Sequence, residues 1–151
     1  MTAAEGAVGQ IFAAAERLTA IAHAPDYPAT KVTGLLTLEI CSILLSINCR
    51  VKRECPVGLS RTVQSGRVYQ GHLDLFARFD DGSSVAIEID RGNKLWSLRK
   101  LEYVAGESGS TALWVRWHGR VSMPTGSCVT VLNLARNGAP AHLRNAQGQA
   151  E

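Results

Sequence analysis

The sequence predicts an α/β fold, and three observations carry that prediction. Apolar residues recur at helical spacing near the N-terminus, over residues 3 to about 23, and again over 35–47. Two central stretches, 70–79 and 84–90, alternate apolar and polar residues as strands do, and the residues between them suit a hairpin turn. A further helical pattern over 94 to about 105 and a strand over 111–117 follow. At 151 residues the chain accommodates one domain with a sizeable core, assigned to 1–136, and would divide poorly into two.

In the first helix Val8, Ile11, Phe12, Ala15, Leu18 and Ile21 mark the apolar side, with Gln10, Glu16 and Arg17 opposite. Asp26-Tyr27-Pro28 ends it, because proline disfavours helix at the residue before it. Residues 35–47 are apolar nearly all round, and Glu39, Ser42 and Ser46 fall at i, i+3 and i+7, so that one narrow polar stripe runs along a mostly buried helix. Asn48 suits the helix end, and 50–57 alternates roughly as an exposed strand before Pro56 and Gly58.

The centre of the chain is the most informative part. Leu73, Leu75, Ala77 and Phe79 share one face of their strand and His72, Asp74, Phe76 and Arg78 the other; Val85, Ile87 and Ile89 oppose Ser84, Ala86, Glu88 and Asp90 in the next. Asp80-Asp81-Gly82 makes a three-residue loop whose glycine suits the left-handed position of a type I turn with a bulge. Pairing Phe79 with Ser83 then sets Asp74 across from Glu88. Arg91-Gly92-Asn93 is a turn, with Asn93 as candidate cap for a helix buried on Leu98, Leu101 and Val104. A short strand is expected over 128–134 and a loose polar tail over 137–151.

Composition excludes several classes. An apolar fraction of 46% and a charged fraction of 19% rule out wholesale disorder and fibrous architecture. No secretory leader pattern is visible, and the longest apolar stretch, 34–47, is too short and, with Glu39, too polar to span a bilayer, so a cytoplasmic protein without membrane contact is expected. Cys41, Cys49, Cys55 and Cys128 lack zinc-site spacing and are expected as reduced thiols. The net charge of +3 is modest, yet between Arg50 and Arg67 five basic residues face one acid, Glu54. That run is either a phosphate-facing surface or an edge strand kept soluble by its charges.

Asp74, Glu88 and Asp90 carry the chemistry. Side chains two apart on a strand share a face about 7 Å apart, so Glu88 and Asp90 project together and Asp74 joins them from the neighbouring strand. Three acids on one face of otherwise apolar strands repel one another, and such a cluster implies a bound cation. Hard divalent cations are held by carboxylate oxygens, and phosphodiester hydrolysis uses such a cation to polarise the phosphate and generate a nucleophile. His72 shares this face, either as a phosphate contact or as a hydrogen-bonded structural histidine. Trp96, Trp114 and Trp117 are either stacking platforms for bases or core.

With Gly71-His72-Leu73-Asp74 followed by Val85-Ala86-Ile87-Glu88-Ile89-Asp90, the chain resembles the PD-(D/E)XK nuclease superfamily, and the element order over 35–117 is similar to that family's core. The resemblance implies a restriction-endonuclease-like core, αβββαβ, with a central mixed sheet flanked by helices and here an extra N-terminal helix. It implies Asp74 as the first metal-binding aspartate, Glu88 as the second acidic ligand and Glu39 as the acid that many members place on the first core helix. Asp90 stands where the family usually has lysine, so Lys94 and Lys100, on the following helix, are the candidates to replace it. The expected activity is a magnesium- or manganese-dependent endonuclease acting on DNA, with Asp74, Glu88 and Asp90 on the metal. The alternative is a non-catalytic nuclease-fold protein that binds nucleic acid or joins a complex. So small a chain leaves little surface for reading bases, so a homodimer or a larger nuclease complex is expected.

Overall fold

Seven residues in the middle of the chain organise the architecture. Ser84–Asp90 is buried at every position but the last, because it lies at the centre of the sheet and is covered on both faces. The computed structural model describes residues 1–120 and 126–135. Its elements are α1 (Ala3–Ala13), α2 (Ala15–Ala22), α3 (Ala29–Leu45), β1 (Arg50–Thr62), β2 (Val68–Arg78), β3 (Ser84–Asp90), α4 (Leu95–Ser108), β4 (Thr111–Arg116) and β5 (Thr130–Asn133). The sheet order is β1-β2-β3-β4-β5, antiparallel from β1 to β3 and parallel from β3 to β5. The fold is therefore α/β, a five-stranded mixed sheet flanked by four helices. Among the described residues no helix is long and apolar enough to cross a membrane.

One face of the sheet packs on α1, α2 and α3. Leu75, Ala77, Phe79, Val85, Ile87, Ile89, Leu113 and Val115 meet Ile11, Leu18, Leu36 and Ile40 there, in the alternation that the sequence predicts. On the other face Leu98, Leu101 and Val104 of α4 cover Ala86, Ala112 and Trp114. Leu73 belongs to this second cluster, which departs from simple alternation. The main-chain pairing of β2 with β3 extends from Arg78↔Ser84 only to Leu75↔Ile87. The hairpin has the predicted register: Phe79 N–H donates to Ser83 O at 2.9 Å and Gly82 takes φ 86°.

Several elements differ from the sequence expectation. The N-terminal helix is two helices, divided at Ala14 with ψ near 9°. Their buried stripe is Ala4, Ala7, Ile11, Ala15, Leu18 and Ala22, so small residues face the sheet while Val8, Phe12 and Ile21 are only partly covered. Helix α3 begins at Ala29, directly after Pro28, and exposes Leu38 and Leu45. Asn48 does close that region, in the left-handed conformation at φ 60°. Strand β1 continues through Pro56 to Thr62; as an edge strand it tolerates the missing N–H, and its register shifts between Pro56 and Ser60. Lys94, not Asn93, is the residue preceding α4, and Asn93 Nδ2 donates to Arg120 O instead. The expected tail, 137–151, lies outside the described residues.

Candidate active site

Where main-chain pairing between β2 and β3 stops, carboxylates take over the free N–H groups. The backbone N–H of Asp74 donates to Glu88 Oε2 at 2.7 Å, and the backbone N–H of Ile89 donates to Asp74 Oδ2 at 2.7 Å. Each acid is thus docked by the opposite strand, which fixes the pair more rigidly than side-chain rotamers alone would. Asp74 Oδ1 has no hydrogen-bond partner among the described residues.

A lysine from the opposite helix completes the arrangement. Lys100 Nζ lies 2.6 Å from Glu88 Oε1 and donates to His72 O at 2.7 Å, leaving one of its three donors for another acceptor. Both partners are almost fully buried. Lys100 reaches this place by crossing β2 over Gly71, where a Cβ would stand 2.8 Å from Leu59 O, 2.9 Å from Val57 Cγ2 and 3.2 Å from Lys100 Cδ. Only glycine leaves room for the lysine stem. Of the two candidate lysines, Lys100 is the one at the acids, while Lys94 is exposed on the wall of the cleft above them.

Charge balance around the pair is incomplete. Burial pushes the Glu88 carboxyl up to about 7, the neighbouring Asp74 charge adds to this, and Lys100 offsets only part of it. Burial likewise raises the Asp74 carboxyl, with the Ile89 N–H opposing and the charges of Asp90 and Glu54 adding. The buried Glu88 and the half-buried Asp74 carboxylates have a single ammonium, that of Lys100, between them.

The structure treats the other candidates differently. Asp90 lines the same cleft, but its Oδ2 accepts a 2.8 Å hydrogen bond from Nε1 of the fully buried Trp114. No group of three or more His, Cys, Asp or Glu comes together as a ready metal cage among the described residues. Glu39 does not join the cluster: it forms an ion pair with Arg17 of α2 at 2.9 Å and is absent from the cleft lining. Thr33 is the α3 residue at the cleft, and Glu39 lies six residues further on, about 9 Å along the axis and on another face. His72 is exposed at the cleft, its Nδ1 3.1 Å from Gln70 O. Trp114 and Trp117 are core and Trp96 is nearly so, so none offers an open ring face.

The cleft has a volume of about 440 Å³. Its lining adds residues that sequence reasoning did not single out as site residues: Glu54, Arg61, Tyr69 and Arg91. Glu54 holds a left-handed backbone at φ 48° and stands level with Asp74, since its neighbours Arg53 and Cys55 pair with Leu75 and Leu73. The one signal for it in the sequence is its place as the sole acid among five bases. A buried Arg116 knits the loops at the end of the cleft, donating to Gly92 O, His118 O and Arg120 O at 3.0 Å each.

Comparison with known proteins adds little. No protein-family model matches the chain, and no curated protein matches it. The crystal structure of SSO0001 is similar at a TM-score of 0.36 and 22% identity, over 69% of this chain and 55% of that one. The chain thus spans little more than half the length of that structure, and likeness at this level assigns neither fold family nor activity.

Proposed function

We propose that the chain is a metal-dependent endonuclease that hydrolyses DNA phosphodiester bonds, a PD-(D/E)XK-like protein in which Lys100 takes the part of the absent motif lysine. The observation that carries this reading is the buried Lys100 ammonium 2.6 Å from Glu88, beside Asp74, in a cleft open to a substrate. The order α3-β1-β2-β3-α4-β4 also supports it, since it follows the αβββαβ core that the motif resemblance implies.

Magnesium or manganese fits the donor set. Asp74 and Glu88 offer hard oxygen ligands on rigid strands, and their charge exceeds that of Lys100, the deficit a divalent cation would neutralise. Such a cation would polarise the phosphate and favour ionisation of the attacking water. Lys100 holds Glu88 in place and has one free donor to orient that water or steady a phosphate oxygen. Asp90, held by the Trp114 indole, serves in this reading as a supporting acid. Lys94 and Arg91 on the cleft wall offer positive charge to the phosphates on either side.

The test is cleavage of plasmid, linear duplex and single-stranded DNA with magnesium or manganese, comparing the native chain with Asp74→Ala. Cutting that needs the metal and disappears in Asp74→Ala supports the reading. A native protein that binds DNA and never cuts with either metal overturns it and leaves the non-catalytic alternative.

A further inference from the structure

Beyond Leu73 the β1–β2 hairpin has no third strand beside it among the described residues, since β2 pairs with β3 only between Leu75 and Arg78. Its outer half, residues 59–70, is a two-stranded arm that is exposed at nearly every position. The arm carries two arginines and no acid. An arm needed only to stay soluble would have no reason to aim a charge at the cleft, but here Arg61 lies directly across from Tyr69 in register, and both line the cleft wall. Arg67 folds onto Tyr69, with its guanidinium 5.9 Å from the ring centre and a 3.3 Å hydrogen bond to the hydroxyl. On the opposite wall stands Trp96 of α4, and the Arg61 guanidinium sits 5.0 Å from its ring centre. The arm therefore reaches across to α4 above the acids.

This geometry limits what can reach Asp74 and Glu88. A volume of about 440 Å³ is that of a site for one drug-sized ligand, within roughly 300–1,000 Å³, and accommodates about one nucleotide. A duplex is a broad convex rod whose major groove alone is about 12 Å wide, and its phosphates cannot descend to acids recessed beneath the Arg61–Trp96 contact. A single strand can. Tyr69, 42% exposed, presents a ring on which a base can stack, and Arg61 and Arg67 are placed for the phosphates on either side of it.

We propose that the outer half of the β1–β2 hairpin is a guide for a single strand of nucleic acid, gripping it through Arg61, Arg67 and Tyr69 and feeding it to the cleft one nucleotide wide. This inference rests on the nuclease reading for what happens to the strand, and on the arm alone for binding. The experiment measures fluorescence anisotropy in EDTA with labelled oligo-dT, labelled oligo-rU and a labelled blunt DNA duplex of equal length, for the native chain, Tyr69→Ala and Arg61→Ala/Arg67→Ala. Circular dichroism checks that these surface variants remain folded.

The native chain is expected to bind one of the two single strands at least tenfold more tightly than the duplex, and the tighter of the two identifies the DNA or RNA source. Tyr69→Ala should weaken that binding roughly tenfold. The arginine double variant should flatten the slope of log K against log salt by roughly 0.7 for each phosphate that no longer meets an arginine. Duplex binding equal to or tighter than both strands, no binding to either strand, or native affinity in the arm variants overturns the proposal. Cleavage by native chain in magnesium or manganese, run alongside, separates the two readings. Strand binding through the arm without cleavage sinks the nuclease and keeps the guide, whereas metal-dependent cleavage with unchanged arm variants does the reverse.

Discussion

The two faces of β3 lie on one backbone and meet opposite surroundings. Toward α1, α2 and α3 it presents Val85, Ile87 and Ile89 to an apolar core whose fully buried members carry no ionisable side chain. Toward α4 it presents Ala86, Glu88 and Asp90, and there burial is just as complete at Glu88 while the partners are an ammonium, backbone N–H groups and an indole. Burial is thus common to both faces, and its energetic sign is not. On the first face it stabilises with every methylene covered. On the second it disfavours the charged form of Glu88, and a carboxyl so perturbed beside a specific partner in a cleft is a candidate for function.

Damage to the two faces should differ in its dependence on pH. Ile87→Ala should cost about 2–5 kcal/mol, read as a fall in denaturation midpoint that is the same at pH 5 and pH 8. A strongly pH-dependent loss would mean that the apolar face is coupled to the acids.

The second prediction concerns Glu88. Its folded carboxyl is raised to about 7 from an ordinary 4.5, so the folded state keeps a proton that the unfolded chain has released. The metal-free protein should therefore lose stability as pH rises from about 4.5 to about 7, on the order of 3 kcal/mol in all. Denaturant titrations across this window should show the slope in the native chain and a flatter profile in Glu88→Gln or with saturating manganese. A native profile without that slope would contradict the uncompensated charge at the site.

Gly71→Ala sharpens the comparison from the lysine side. The added methyl meets Leu59 O and the Lys100 stem, so overpacking should cost about 1–3 kcal/mol and push Lys100 away from Glu88. Stability unchanged in this variant, measured by urea unfolding, would show that β2 yields freely there.

The smallest effect is expected at Asp81, which lies at the hairpin turn and accepts from Ala3 N–H at 2.8 Å and from Ser83. The Ser83 hydroxyl, the Ala3 N–H and the Ser83 N–H hold its carboxyl below the usual value near 3.8. Its contribution is therefore present above that value and lost as pH falls further. Asp81→Asn should lower the thermal midpoint slightly at neutral pH, with the difference closing in strong acid.

How far the sequence could be read follows from the same two faces. Alternation over 84–90 and the Asp80-Asp81-Gly82 turn are local signals, and together they place Asp74 opposite Glu88 before any coordinates are known. The rotation of a helix about its axis is not a local signal. Lys100 stands four residues before Val104 on the flank of the buried stripe of α4, while Lys94 precedes the helix, and the packed angle of α4 with the gap at Gly71 brings the Lys100 ammonium to the acids. Glu39 fails for the same reason in reverse, because the sequence shows a polar stripe on α3 without showing that α2, through Arg17, covers it. Glu54 depends on a left-handed residue within a strand, which no periodicity announces. The division at Ala14 escapes notice because alanine is an excellent helix former, and tertiary packing overrides its propensity.

The central claim is that Lys100 replaces the absent motif lysine at a working pair of carboxylates. It is tested most directly by single-turnover cleavage at saturating DNA with manganese, comparing the native chain, Lys100→Met and Lys94→Met, each confirmed as folded by circular dichroism. Lys100→Met should lose about 10² to 10³ in rate, and Lys94→Met far less. Native rates in Lys100→Met, with cleavage still dependent on Asp74, would contradict it.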